Sequence, residues 1–119
     1  QATVVRRDRR AAEDRGKETV PLGSLVQEVP RLLEAAQQAL YDEARERRDA
    51  RTSEVSTLEE AIEAAATGFA RLPYASLGEE GEDRLAEHAV TVRCLQRPDG
   101  SLPAGDDEPD LVAYVARSY

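Results

Sequence analysis

Few side chains here could act as nucleophiles, acids or metal ligands, and they are scattered. His88 is the only histidine and Cys94 the only cysteine. A lone His at the end of a helical stretch reads as a surface or capping group. Cys94 has no acid–base partner nearby in sequence and reads as a small buried apolar residue. One cysteine makes neither an internal disulfide nor a thiolate metal site by itself, which fits a reducing, cytoplasmic compartment. No Ser sits in a Gly-x-Ser-x-Gly turn, and no phosphate-binding glycine loop is present. Glu79, Glu80, Asp106 and Asp107 could hold a hard cation loosely, but solvated carboxylates are the simpler reading. Arg6, Arg7, Arg9 and Arg10 are the strongest candidates for a contact, because guanidinium suits bidentate bonds to phosphates and base edges. Their plain alternative is a solvated strand edge. The set supports binding and no catalysis.

Charge narrows the partners. The chain has 119 residues and a net charge of −8, with only 4% aromatic residues, so its core must rest on Ala, Leu and Val. Residues 1–51 carry eleven Lys and Arg against ten Asp and Glu, a net of +1. Residues 52–119 carry five Arg against fourteen Asp and Glu, a net of −9. Nucleic-acid affinity comes largely from cations neutralising phosphates, so an RNA contact is expected in the first half. No apolar run approaches 18 residues, so no membrane span is expected, and no apolar signal stretch opens the chain. A chain that starts on Gln1 and contains no Met is expected to be an excised fragment or a processed product.

These residues need elements to position them. Ala2–Arg7 alternates and is β-branched, which predicts a strand. Asp8–Glu18 reads as a mobile loop. Thr19–Leu22 either pairs back as a strand or leads into a helix. From Ser24 the apolar residues Leu25, Val26, Val29, Leu32, Leu33, Ala36, Leu40 and Ala44 recur at spacings of three and four, one stripe of a helix running to about Arg51. Pro30 predicts a kink, or two helices in series. Thr52–Val55 reads as a strand. Ser56 and Glu59 have capping-box spacing for a helix carrying Leu58, Ile62 and Ala65 inward, and Gly68 is expected as its left-handed cap. Phe69–Leu72 is a strand. Gly78–His88 is a helix with Leu85 and Ala89 inward. Val90–Leu95 is a strand with Val90, Val92 and Cys94 on one face. Residues 98–109 form a loop, and Leu111–Ala116 is a last strand. The fold class is α+β: a two-layer sandwich of order β-α-β-α-β-β from residue 52, preceded by a strand and a long connecting helix.

Several of these segments resemble one family. Val4-Val5-Arg6-Arg7-Asp8 with Glu18-Thr19-Val20-Pro21-Leu22 is similar to the last strand and turn of the anticodon-binding domain in archaeal/eukaryotic-type prolyl-tRNA synthetases. Val29-Pro30-Arg31-Leu32-Leu33-Glu34 and Gln37-Gln38-Ala39-Leu40 resemble that family's connecting helix. Gly68-Phe69-Ala70-Arg71-Leu72-Pro73-Tyr74 resembles its Gly-Phe-x-Arg-x-Pro-Trp segment. Val92-Arg93-Cys94 resembles its Ile-Arg-Cys strand, and Tyr114-Val115-Ala116-Arg117-Ser118-Tyr119 its terminal Phe-Ala-Arg-Ala-Tyr.

The resemblance implies a parent class II ligase that joins proline to its tRNA using ATP and magnesium. It also implies a homodimer, in the cytoplasm, with catalytic and anticodon-binding domains upstream. Residues 1–30 would be the last strand and helix start of the anticodon domain, 31–52 the connecting helix, and 53–119 the carboxy-terminal domain. None of the catalytic motifs falls here, and no cofactor is expected within these residues. The resemblance further implies that Tyr119 reaches toward the catalytic domain and helps order its active site. The family commonly holds zinc with four cysteines in this domain. The first two positions are here Ala75 and Glu80, and residues 97–110 contain no Cys or His for the second pair. Zinc needs four well-placed donors, so no metal is expected, and residues 53–119 alone are expected to fold poorly. The competing reading is a stand-alone acidic protein–protein interaction module using the Leu25–Leu40 stripe.

Overall fold

The computed structural model describes residues 1–9 and 16–119. The chain divides into two compact units, Gln1–Arg48 and Asp49–Tyr119.

In the first unit, β1 (Ala2–Val5) and β2 (Lys17–Val20) form an antiparallel hairpin, with Ala2 opposite Val20 and Val5 opposite Lys17. The strand alternative for Thr19 is therefore the one realised. The first strand stops earlier than its β-branched run suggests, because Arg7–Arg9 form a 3-10 turn. Gly16, at φ +65°, receives the Arg6 N–H on its carbonyl at 2.8 Å. An L side chain is disfavoured at that angle. A second 3-10 turn, Leu22–Ser24, leads into α1 (Leu25–Ala50).

α1 is one helix, so the two-helix alternative at Pro30 is not realised. Pro30 is its sixth residue, and the missing N–H deprives only the Val26 carbonyl of its partner four residues on. Val26 is 81% exposed, so water can satisfy that carbonyl. The apolar stripe is present but largely uncovered. Among the described residues of this unit, only Val20 and Leu32 are buried apolar side chains. Leu33, Leu40 and Tyr41 are exposed.

The second unit follows the expected order. β3 (Thr52–Glu54), α2 (Leu58–Ala65), β4 (Phe69–Pro73), α3 (Gly81–Glu87), β5 (Val90–Gln96) and β6 (Val112–Arg117) succeed one another. The sheet order is β3-β4-β6-β5. β3 and β4 are parallel, which requires a crossover, and α2 supplies it. The other pairings are antiparallel. Leu58, Ala61 and Ala65 of α2 and Leu85 of α3 close a core with Ala70, Leu72, Val90, Ala113 and Val115 of the sheet. Small Ala positions on α2 and β4 let helix and strand approach closely.

Four local expectations are corrected. The helix cap falls one residue later: Thr57 Oγ1 accepts the Glu60 N–H at 3.3 Å, and Glu60 accepts the Ser56 N–H at 3.0 Å. Gly68 is not a left-handed cap. It is needed because a Cβ there would collide with the Arg51 carbonyl oxygen, which already accepts the Phe69 N–H at 2.8 Å. Ala89 does not point inward; it is exposed, at φ +56°, and ends α3. Cys94 is exposed rather than buried. A bulge lies between Val92, opposite Val115, and Cys94, opposite Tyr114. The extra residue, Arg93, reverses the alternation that Val90 and Val92 begin.

Candidate functional site

The end of the chain is held by the sheet and by α3's exit. β6 runs to Arg117, which pairs with Val90. Beyond it, Ser118 donates its N–H and its hydroxyl to the Ala89 carbonyl, at 2.7 and 3.0 Å. The left-handed turn at Ala89 aims that carbonyl. Arg93 donates from Nη2 to the Arg117 carbonyl at 2.6 Å. Tyr119 follows these three bonds directly and is fully exposed. These bonds position the backbone that leads to the ring, which stands in solvent. Arg93 and Ser118 escaped the sequence reading. Arg93 fits a regular alternation between Val92 and Cys94, so no sequence signal marked it.

The four candidate arginines of the first unit do not share one environment. Arg6 is clamped to Asp8 by two bonds, Nε to Oδ1 at 3.1 Å and Nη2 to Oδ2 at 2.7 Å. The two side chains are only 17% and 7% exposed. The Arg6 guanidinium holds the Asp8 carboxyl below the usual carboxylate range. Arg6 thus spends its fork on its own turn. Arg7 and Arg9 are exposed in that turn. Arg10 lies outside the described residues. Arg31, which the sequence did not single out, joins hairpin to helix: it donates to Glu18 at 2.8 Å and to Glu28 at 2.7 Å. The first-turn position of Glu28, three residues before Arg31, was the readable half of that pair.

The positions at which the resemblance implies zinc ligands do not fit the ion. Ala75 offers no donor and lies in a 3-10 turn, Tyr74–Ser76. Glu80 precedes α3. Among the described residues, no three His, Cys, Asp or Glu side chains come together as a metal group. The segment 97–110 is instead tied by Arg97, which donates to both oxygens of Glu108 at 2.8 and 2.9 Å. Glu108 also accepts the Ala104 N–H at 2.7 Å. An arginine–carboxylate clamp closes the loop in which the second cysteine pair would sit. His88 is the exposed residue just after α3, its backbone N–H bonded to the Leu85 carbonyl at 3.0 Å. Among the described residues no helix is long and apolar enough to cross a membrane.

On the open face of the sheet, Arg71 bonds Glu54 at 2.7 Å and lies 5.8 Å from the centre of the Tyr114 ring. Glu54, Arg71, Tyr114 and Cys94 are successive cross-strand partners. This row has no nucleophile–base pair, and its chemistry is that of a paired surface.

No family model matches the sequence. The chain is 58% identical over 105 residues to proline–tRNA ligase 2 of Streptomyces avermitilis, covering 87% of this chain and 22% of that protein. It is 51% identical over 118 residues to the proline–tRNA ligase of Frankia alni, covering 98% of this chain and 24% of the relative. Among solved structures, its fold matches the prolyl-tRNA synthetase of Cryptosporidium parvum complexed with halofuginone and AMPPNP, with a TM-score of 0.64 and 20% identity. That match covers 88% of this chain and 24% of the other. The same synthetase with L-proline and AMP gives 0.63 at 21% identity. The chain thus spans about a quarter of the length of the relatives it matches. By sequence and by fold, these 119 residues belong with the carboxy-terminal region of the proline–tRNA ligases.

Proposed function

We propose that these residues work as the non-catalytic carboxy-terminal part of a proline–tRNA ligase, which attaches proline to tRNA(Pro) at the expense of ATP. The observation that carries this reading is a 51% identity to a ligase over 98% of the chain. A stand-alone acidic module is not favoured, because the similarity covers both units rather than one.

The parts then divide as follows. Residues 1–30 complete the anticodon-binding domain, residues 31–52 form the connecting helix, and residues 53–119 form the terminal domain without zinc ligands. The uncovered stripe of α1 supports the first assignment. Val5, Val29, Leu32, Leu33, Ala36 and Leu40 line an apolar cleft of about 510 Å³ within the first unit, and the rest of an anticodon domain would fill it. Burying such area contributes roughly 25 cal/mol per Å². Arg6, Arg7, Arg9 and Arg10 are the residues placed to meet tRNA, and Arg6 does so only by releasing Asp8. The terminal domain braces the catalytic and anticodon domains and presents Tyr119 to the active site. ATP and magnesium bind upstream, and the parent acts as a homodimer in the cytoplasm.

The test is aminoacylation by the full-length protein. It should charge tRNA(Pro) with proline in the presence of ATP and magnesium, and deleting Tyr119 should lower kcat more than it raises KM for tRNA. Failure to charge tRNA(Pro) overturns the reading. Neutralising the exposed Arg7 should flatten the salt dependence of tRNA binding, as a lost phosphate contact removes about one unit of slope.

A further inference from the structure

The six arginines of Asp49–Tyr119 fall into two classes. Arg71, Arg84 and Arg97 each hold a carboxylate of their own unit: Glu54 at 2.7 Å, Glu59 at 2.8 Å and Glu108 at 2.8 Å. Arg51, Arg93 and Arg117 have no carboxylate within ion-pair distance among the described residues. The unit has fifteen Asp and Glu and no Lys. Three guanidiniums without a carboxylate in so acidic a unit would be unremarkable if they were dispersed, but they are not. All three line one cleft of about 610 Å³, together with Gly68, Phe69 and Tyr119.

The backbone fixes each of the three. The Arg51 carbonyl accepts the Phe69 N–H, and Gly68 has no Cβ to push that strand away. Arg93 is the extra residue of the bulge, so its side chain leaves the alternation and reaches the Arg117 carbonyl. Arg117 sits opposite Val90 at the end of β6. Like charges repel, so the grouping calls for an anionic occupant. Guanidinium forks match carboxylates in bidentate geometry.

We propose that this cleft is a docking site for an acidic segment of the longer polypeptide, one presenting two or more closely spaced carboxylates. The proposal rests on the reading of the chain as part of a ligase. The Frankia relative has about three-quarters of its length outside the matched region, which is room enough for such a segment. The charge of the unit disfavours RNA as the occupant. A phosphate backbone leaving the cleft would run over a surface of net −9, whereas a loop brings its charge only locally. Docking here would also cover the Tyr119 ring, which is fully exposed in its own unit.

The test uses the full-length protein with Arg93→Lys and Arg117→Lys, which keep the charge and add an amine. A water-soluble carbodiimide couples amines to carboxylates in direct contact, and peptide mass spectrometry maps the bonds. Coupling from position 93 or 117 to Asp or Glu outside residues 1–119 is expected. In a separate control, Arg84→Lys should couple to Glu59. Coupling confined to residues 1–119, or none while the control couples, overturns the proposal. A second measurement guards against a loss of folding. In the full-length protein, the triple change Arg51→Gln, Arg93→Gln and Arg117→Gln should speed exchange of the Phe69 and Ala116 amides at least tenfold. The same change in the 119-residue chain should leave them unmoved. Equal acceleration in both, or protection that appears only with added tRNA, overturns it. Aminoacylation is scored separately: a protein that charges tRNA(Pro) without the coupling loses only the docking site, and one that couples without charging loses only the ligase reading.

Discussion

In Asp49–Tyr119 ten apolar side chains bury one another, from Leu58 on α2 to Val115 on β6. In Gln1–Arg48 the apolar residues are as regularly spaced, yet only Val20 and Leu32 are buried among those described. The second unit closes its core with helices on a four-stranded sheet. The first has a two-stranded hairpin and one helix, and a lone hairpin with a single helix has too little surface to cover an eight-residue stripe. The same amphipathic logic gives a finished domain in one case and an open face in the other. An open face at helical spacing is therefore evidence of a missing partner rather than of a weak element.

The contrast can be broken most easily at the closed core. Leu85→Ala in α3 removes a completely buried side chain and should destabilise the 119-residue chain by about 2–5 kcal/mol in a urea titration. A loss below about 1 kcal/mol would mean that the second unit is as open as the first. Next comes Gly68→Ala. Its new methyl meets the Arg51 carbonyl, and shifting the backbone should cost about 1–3 kcal/mol by the same measurement. Thr57→Ala removes the α2 cap and should cost about 1 kcal/mol. Ala89→Gly should go the other way, raising stability by roughly 1 kcal/mol, because glycine adopts the left-handed angle without strain.

Acid should act on both units with the same sign. Asp8, Glu59 and Glu108 are each held below the usual carboxylate range, first of all by hydrogen bonds from Arg6, Arg84 and Arg97. A carboxyl depressed in the folded state adds stability above its unfolded pKa. That stability fades as pH falls through the folded value. Melting temperature should therefore drop on acidification below the normal carboxylate range, and Glu108→Gln should flatten that drop. The smallest effect is expected on the open face. Leu40→Ser should change the stability of the 119-residue chain by less than about 0.5 kcal/mol, since Leu40 is 51% exposed. In the full-length protein the same change should cost several times more, if the stripe is covered there.

Much of the fold was legible in sequence because its causes are local. Alternation in Val90–Leu95, the three–four spacing from Leu25 to Leu40, and the hydroxyl and carboxylate flanking Leu58 each act within a few residues. They set element type and order without reference to the rest of the chain. The candidate site was legible only in part. Arg6, Arg7 and Arg9 announced themselves by type, but nothing in their spacing said that Arg6 would close on Asp8. That Ala75 offers no metal ligand needs no fold, since an alanine has no donor.

Tertiary structure decided the rest, because it depends on which strand lies opposite which. The bulge at Arg93 exists only against the register of β6. It turned Cys94 outward and sent an arginine to the carbonyl beneath the tail. The need for Gly68 comes from the Arg51 carbonyl, brought close by a parallel pairing across α2. The division of six arginines into three with carboxylates and three sharing one cleft is likewise invisible along the chain. Local periodicity specifies what each segment becomes; the distances between side chains far apart in sequence arise only once the sheet has fixed its register.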